Sequence, residues 1–251
     1  MNAQIIKQST LLVLFVLFAK CTSPVQPETK DIFGFQADLN SQVNEAMPGI
    51  LVSVISNVKN IHWVGAAGFS DNQTKMELNT DQVFRIASVT KTFVATTILR
   101  LWEDGKVNLD NPISQYISPE HANILKRGGY NPDEITVYHL LTHSGGLAEH
   151  TTTEKYETDY ILTNHVWSRT EQLNDLADFT KPVGKPGERF SYSDSGYILL
   201  GEIIENITKK TLGESISEQL NLKNLGLNNI YFEDFNGDFS GNRIHQYLDN
   251  K

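Results

Sequence analysis

A serine and a lysine stand three residues apart where the sequence predicts that a helix begins. Ser88 and Lys91 open a segment of helical apolar periodicity that ends before Gly105. Because residues three apart on a helix share a face, the amine of Lys91 can reach the hydroxyl of Ser88. A serine hydroxyl is a weak nucleophile without such a neighbour, and the N–H groups at a helix start suit a developing oxyanion. Ser88 is therefore the candidate nucleophile, and Lys91 is its candidate partner.

The same Ser-x-x-Lys spacing occurs at Ser56 and Lys59, inside a stretch that indicates a strand and a turn. Serine is also a common helix cap, and lysine is common on exposed helix faces. The spacing alone is therefore a weak signal of catalysis, and the assignment of Ser88 depends on the motifs that follow it.

A tyrosine and a carboxylate stand two residues apart in segment 186–197, where a loop is predicted to lead into a helix. Tyr192 can carry a proton, and Asp194 can hold an amine. Alternate residues of an extended segment project to the same side, so both side chains can reach one site. The alternative is an ordinary turn in which Asp194 or Ser195 caps the helix.

Segment 140–147 has the sequence Leu-Leu-Thr-His-Ser-Gly-Gly-Leu and ends a predicted short helix. His139 directly precedes this segment, and His143 lies within it. The two histidines have the i, i+4 spacing of metal ligands. Leu140, however, stands where a metalloprotease helix carries its glutamate. We therefore expect packed or hydrogen-bonded histidines and no metal.

Hydrophobic periodicity and turn residues predict the elements that position these side chains. A helix over 32–47 and a hairpin of strands 50–58 and 61–69 precede the Ser88 helix. The elements predicted beyond it are a short turn or helix over 109–116, a helix over 137–143 capped by Thr136, a helix capped by Thr170, a helix from Ser195 with Leu200, Ile203, Ile204 and Ile207 inward, and a helix after the capping box of Thr211 and Glu214.

The composition is that of an ordinary globular protein of one domain or two lobes. Of 251 residues, 39% are hydrophobic and 20% are charged, which excludes a disordered chain. The formal net charge of −9, with scattered lysines and arginines, argues against a nucleic-acid surface. A single cysteine excludes an internal disulfide.

The N-terminus predicts export. Residues 1–20 combine Lys7 with an apolar run that is too short for a settled membrane span and typical of a secretory signal peptide. Cys21 follows where a bacterial lipoprotein carries its lipid, and residues 21–31 suit a tether. The alternative is a plain signal peptide, since Lys20 is unusual before a lipidated cysteine. We expect a membrane-anchored protein of the bacterial cell envelope that faces the periplasm.

Three motifs in order resemble the serine β-lactamase and penicillin-binding protein family. They are Ser88-x-x-Lys91, the Leu-Leu-Thr-His-Ser-Gly-Gly-Leu segment and Tyr192-x-Asp194. The resemblance is to the branch of class C β-lactamases, D-Ala-D-Ala carboxypeptidases and esterases. It implies an α+β, β-lactamase-like fold, in which an antiparallel sheet lobe with helices lies beside an all-helical lobe and the site lies between them. On this resemblance, residues 32–251 form a β-lactamase-related serine hydrolase domain.

The resemblance also implies acyl-enzyme chemistry. Ser88 would attack an amide, lactam or ester carbonyl, Lys91 and Tyr192 would manage its proton, and Asp194 would bind substrate. The backbone N–H of Ser88 would form half of the oxyanion hole, and neither a metal nor an organic cofactor is expected. The expected partners are a small-molecule or peptidoglycan-peptide substrate and a membrane held through the lipid on Cys21. We expect a monomer that binds no nucleic acid.

Two features depart from the family pattern. The family's Tyr-x-Asn element ends here in Asp194, and its third element, Lys-Thr-Gly or His-x-Gly, does not occur between Tyr192 and Lys251. The segment His143-Ser144-Gly145 has the right residue types, but it precedes Tyr192. We therefore expect a C-terminally truncated domain with an incomplete sheet.

Two other functions stay open at this stage. The missing third element favours a non-catalytic remnant that binds envelope peptides without turnover. An unrelated secreted helical binding protein would require three motif matches by chance. Covalent labelling of Ser88 separates the enzyme from both.

Overall fold

The computed structural model describes residues 31, 33–162, 167–233 and 243–245. Their backbone forms two compact units, one of residues up to 82 together with 243–245, and one of residues from 83 to 233. The predicted signal peptide and Cys21 lie outside the described residues. No helix in the described part of the chain is long and apolar enough to cross a membrane.

The first unit contains the predicted hairpin. Strands β1 (Gly49–Ser56) and β2 (Ile61–Asp71) pair antiparallel from Gly49 opposite Gly68 to Ser56 opposite Ile61. Asn60 adopts the left-handed conformation with φ 51° in the connecting turn, which asparagine tolerates. A two-residue strand, β3 (Met76–Glu77), pairs with the end of β2 and gives the order β1-β2-β3. The hairpin prediction is confirmed, and β3 was not predicted.

Helix α1 (Phe35–Gln42) packs on this sheet, where Leu39 is buried with Trp63. The helix is shorter than the predicted span of 32–47. Its continuation is prevented at Asn44, whose side-chain oxygen accepts hydrogen bonds from the N–H groups of Ala46 and Met47. Such a side-chain turn competes with the helical backbone pattern.

The second unit is helical. Its longer helices are α2 (Thr90–Glu103), α3 (Pro119–Arg127), α4 (Val137–Leu141), α5 (Glu154–Leu162), α6 (Arg169–Phe179), α7 (Asp194–Thr208) and α8 (Leu212–Gln219). Short 3-10 turns occur at Ala87–Val89, Ile113–Gln115 and His150–Thr152. Helices α3 and α5 were not predicted.

Helix α7 is central to this unit, because it contacts α2, α4, α6 and α8. The predicted inward residues Leu200, Ile203 and Ile204 are fully buried, and so are Ile98 and Leu101 of α2. Each such side chain contributes about 1.5–3 kcal/mol when it is buried. This shared core fixes the start of α2 and the start of α7, which carry the predicted site residues.

Helices α6 and α4 also differ from the prediction, each at one boundary. Helix α6 is capped by Ser168 in a capping box with Glu171, whereas the hydroxyl of the predicted cap, Thr170, contacts the ring of His121 at 3.0 Å. Helix α4 has the predicted cap but ends at Leu141, and His143 adopts a left-handed conformation with φ 52°. The predicted capping box of α8 is confirmed.

Candidate active site

Ser88 lies in the 3-10 turn that leads into α2, and Lys91 lies in the first turn of that helix. The Nζ atom of Lys91 donates a hydrogen bond of 3.1 Å to the Oγ atom of Ser88. Ala87 has φ 45°, a conformation that residues other than glycine rarely adopt. Ser88 is exposed, so a substrate carbonyl can approach its hydroxyl.

Tyr192 reaches the same hydroxyl from the segment before α7. Its phenol oxygen and the Oγ atom of Ser88 are 2.7 Å apart, and either can be the donor. The Nζ atom of Lys91 also lies 5.0 Å from the centre of the Tyr192 ring. The structure therefore brings together three predicted site residues that the sequence separates by up to 104 positions.

Asp194 completes the cluster through an ion pair. Its carboxylate lies 2.5 Å from the Nζ atom of Lys91, and the two side chains are 32% and 17% exposed. Burial lowers the pKa of Lys91, but the interactions with Asp194 and Tyr192 outweigh it, so the pKa is raised above its ordinary value. Lys91 is therefore an ammonium ion at neutral pH.

The charge of Lys91 gives the hydrogen bonds a direction. An ammonium group has three donors and no acceptor, so the oxygen of Ser88 receives a hydrogen bond from Lys91. The hydrogen of Ser88 is then free to point at the oxygen of Tyr192. Tyr192 is thus the group in position to accept the serine proton, and Lys91 supplies positive charge beside both oxygens.

The second Ser-x-x-Lys pair belongs to the hairpin turn. Ser56 is the last residue of β1, and its Oγ atom accepts a hydrogen bond of 3.3 Å from the backbone N–H of Lys59. This geometry is that of a local turn, in which the lysine contributes its backbone. The side-chain pairing seen at Ser88 and Lys91 is a different arrangement.

The two histidines of the i, i+4 pair each accept a backbone hydrogen bond. The Nδ1 atom of His139 accepts from Thr136, within the cap of α4, and the Nδ1 atom of His143 accepts from Ser193. Both are hydrogen-bonded histidines, as the sequence predicts. Within the residues that the structure describes, no group of three or more His, Cys, Asp or Glu side chains could hold a metal ion.

The proposed cap at Asp194 or Ser195 is wrong. Helix α7 begins at Asp194, and the N–H of this residue donates a hydrogen bond of 2.8 Å to the carboxylate of Glu149. The hydroxyl of Ser195 is buried and lies 2.9 Å from the Nδ1 atom of His150. Glu149 therefore supplies the cap, and the carboxylate of Asp194 is available to Lys91.

Sequence reasoning missed Glu149. Its carboxylate accepts hydrogen bonds from Asp194 and, through the other oxygen, from the backbone N–H of Thr151. The residue before it, Ala148, accepts a hydrogen bond from the hydroxyl of Ser193. No local pattern indicates the contacts with Ser193 and Asp194, because each of them joins residues 45 positions apart.

Comparison with known proteins identifies relatives that share both sequence and fold. The Beta-lactamase family matches residues 35–244 of the chain. Protein flp of Staphylococcus aureus (strain COL) is 30% identical over 196 residues, which are 76% of this chain and 36% of flp. Esterase EstB of Burkholderia gladioli is 29% identical over 181 residues, which are 66% of this chain and 42% of the esterase. The chain thus spans less than half of the length of these relatives.

A solved structure shows the same arrangement of elements. The octameric penicillin-binding protein homologue from Pyrococcus abyssi superposes with a TM-score of 0.66 at 27% identity. The match covers 86% of this chain and 48% of that protein. The fold is therefore β-lactamase-like, with helices and a small antiparallel sheet.

Proposed function

The chain belongs to the β-lactamase family, and we propose that it is a serine hydrolase that forms an acyl-enzyme at Ser88. The observation that carries the proposal is that the Oγ atom of Ser88 lies 3.1 Å from Lys91 and 2.7 Å from Tyr192. A hydroxyl between an ammonium group and a phenol oxygen has both the charge and the proton acceptor that nucleophilic attack needs.

In the proposed acylation, the Oγ atom of Ser88 bonds to the substrate carbonyl carbon while its proton moves to the oxygen of Tyr192. The phenol passes its own proton to the leaving amine or alcohol, whose bond to the carbonyl carbon then breaks. The ammonium of Lys91 stabilises negative charge on the two oxygens during these transfers. Deacylation repeats the sequence with water as the nucleophile and Ser88 as the leaving group.

The proposed enzyme acts in the cell envelope, and its proposed substrates are peptidoglycan peptides, β-lactams or small esters. One relative is named an esterase and another a penicillin-binding protein homologue, which supports ester and amide carbonyls as the reacting groups. The lipid anchor proposed at Cys21 would hold the enzyme beside such substrates. Asp194, with its carboxylate at the site, is proposed to contact the substrate as well as Lys91.

The test is covalent labelling of the full chain with a fluorophosphonate probe and with a fluorescent penicillin, followed by intact-mass analysis. We expect one adduct on the wild-type protein, none on Ser88→Ala and a normal adduct on Ser56→Ala. Tyr192→Phe should slow acylation by roughly 10²- to 10⁴-fold, the usual effect of a positioned proton carrier. An unlabelled wild-type protein, or a labelled Ser88→Ala variant, would overturn the proposal, and the former would favour envelope-peptide binding without turnover.

A further inference from the structure

The imidazole ring of His143 lies against the ring of Tyr192. The two centroids are 4.5 Å apart at an interplanar angle of 26°, which is a stacked geometry. The same imidazole lies 4.9 Å from the ring of Tyr197 and meets the edge of Phe190 at 5.8 Å. The orientation of the phenol that reaches Ser88 is therefore set on one side by His143.

His143 also holds the backbone on both sides of Tyr192. Its carbonyl oxygen accepts a hydrogen bond of 2.7 Å from the N–H of Ser191, and its Nδ1 atom accepts one of 3.1 Å from the N–H of Ser193. These two bonds bracket Tyr192. His143 makes them from a left-handed conformation with φ 52°, which persists only where the surroundings hold it.

We propose that His143 is a positioning residue for Tyr192, and that it acts as a neutral imidazole with its proton on Nε2. The proposal rests on the proposed function, in which Tyr192 carries the proton of Ser88. It follows from geometry: one residue fixes the backbone before Tyr192, the backbone after it and the plane of its ring. A displacement of the phenol by about 1 Å would lengthen its contact with Ser88 enough to slow proton transfer.

The protonation state follows from the hydrogen bond to Ser193. The Nδ1 atom is an acceptor there, and an imidazolium ion has no acceptor. Burial lowers the pKa of His143, and the charge of Lys91 lowers it further, while Asp194 and Glu149 act in the opposite direction. The charged groups around the ring are thus Lys91 from α2, Asp194 from α7 and Glu149 from the loop, with the phenols of Tyr192 and Tyr197 beside it.

This gives a pH dependence with a definite sign. At neutral pH His143 is neutral, and its Nδ1 atom accepts the hydrogen bond from the N–H of Ser193. As the pH falls through the lowered pKa, the imidazole gains a proton on Nδ1 and the bond to Ser193 is lost. Acylation should therefore show an acid limb that belongs to His143.

The experiment compares acylation of Ser88 by the fluorophosphonate probe in variants that remove one feature at a time. His143→Asn keeps an acceptor oxygen near the position of Nδ1 and tolerates the left-handed backbone, but it removes the stacked ring. His143→Phe keeps a ring and removes the acceptor. His143→Ala removes both and should lower the maximal acylation rate by roughly 10- to 100-fold with a small change in the half-saturating probe concentration. His143→Asn and His143→Phe should each lower the maximal acylation rate less than His143→Ala does.

Three further measurements separate a positioning role from a structural one. The acid limb should disappear in His143→Asn, which has no titrating group at this position. His143→Ala should have no added effect in a Tyr192→Phe background, because the group that it positions is already absent. The matched control is His139→Ala, which removes the other histidine of the pair and should leave the acid limb in place.

Several results would overturn the proposal. If His143→Asn keeps the acid limb, or if His143→Ala and Tyr192→Phe lower the rate independently, His143 does not act through Tyr192. If His143→Ala fails to fold, the proposal is decided by whether the acid limb of the wild type is absent from His143→Asn. If Tyr192→Phe itself acylates at the wild-type rate, the proposed function of Tyr192 fails instead, which distinguishes the two failures.

Discussion

The charge on Lys91 depends on the residue at position 194. Burial alone would lower the pKa of Lys91 and favour a neutral amine, which could then act as the base for Ser88. The carboxylate of Asp194, 2.5 Å from Nζ, and the phenol of Tyr192 outweigh burial and raise the pKa. An amide at this position, as in the family pattern, would oppose burial less. In the proposed function, Asp194 thereby moves the role of proton acceptor from Lys91 to Tyr192.

We expect Asp194→Asn to move the basic limb of the pH–rate profile to lower pH. The raised pKa of Lys91 means that its ammonium persists as the pH rises and is lost only when the pH passes that value. Removal of the carboxylate lowers the pKa, so the charge beside Ser88 and Tyr192 is lost sooner. The measurement is the rate of Ser88 acylation across the alkaline range in the variant and the wild type.

The control for this change is Asp178→Asn, which removes a surface carboxylate that pairs with Arg127. Its basic limb should coincide with that of the wild type, because exposed ion pairs contribute little and are screened by solvent. A basic limb that stays in place in Asp194→Asn would show that the ion pair with Lys91 does not control the charge at the site.

The site is built where two helix starts meet the loop between α4 and α5. Helix α2 carries Ser88 and Lys91, α7 follows Tyr192, and the loop supplies His143 and Glu149. Gly146 in this loop allows the loop backbone to come close to segment 183–187. The carbonyl of Gly146 accepts from Val183, and the carbonyl of Ser144 accepts from Gly187. The loop is therefore bonded to this segment at Gly146 itself and two residues before it.

Gly146→Ala should destabilise this loop and slow acylation. Gly146 has φ 73°, and a Cβ atom built on it would lie 2.3 Å from the carbonyl oxygen of Gly184. The strained backbone costs roughly 1–3 kcal/mol before the clash is counted. Since 1 kcal/mol corresponds to about 2–4 °C in a chain of this size, we expect the melting temperature to fall by at least about 2 °C. Thermal unfolding followed by circular dichroism measures it.

The matched control is Gly145→Ala, one residue earlier in the same motif. A Cβ atom on Gly145 would contact side chains, the nearest being that of Ile135 at 3.3 Å, and these can adjust. Its melting temperature should change less than that of Gly146→Ala. Equal losses in both variants would contradict the assignment of the effect to the backbone of Gly146.

Among the helices and strands, the sequence correctly predicted those features that depend on residues close together in the chain. The cap of α4 at Thr136, the capping box of α8 and the apolar stripe of α7 depend on residues that are close in sequence, and the structure contains all three. Helix α6 was predicted from the wrong cap, although Ser168 and Glu171 have the capping-box spacing. Thr170 was misleading because its hydroxyl contacts His121, which is 49 positions away. Partners of this kind cannot be read from a local pattern.

In the molecule as a whole, the site residues were predicted from three motifs and from the family that they resemble. The structure adds the distances that join them and the contacts through which His143, of the second motif, and Glu149 hold the backbone beside Tyr192 and Asp194. These contacts were not predictable, because a histidine beside an apolar helix or a loop glutamate has many ordinary roles. The importance of the two residues follows only from which backbone groups they bind. Three motifs were therefore enough to recognise the family fold, whereas the contacts that complete the site required the structure.

The N-terminus predicts that a lipid on Cys21 holds the whole molecule at a membrane. Cys21 is the only cysteine of the chain and follows a short apolar run. Stable anchoring requires more than one acyl chain, as a lipidated cysteine can provide. We expect Cys21→Ala to move the protein from the membrane fraction to the soluble fraction, measured by fractionation of the expressing bacterium. Ser23→Ala, two residues further on, should leave the distribution unchanged, and a Cys21→Ala protein that stays on the membrane would exclude lipidation of Cys21 as the anchor.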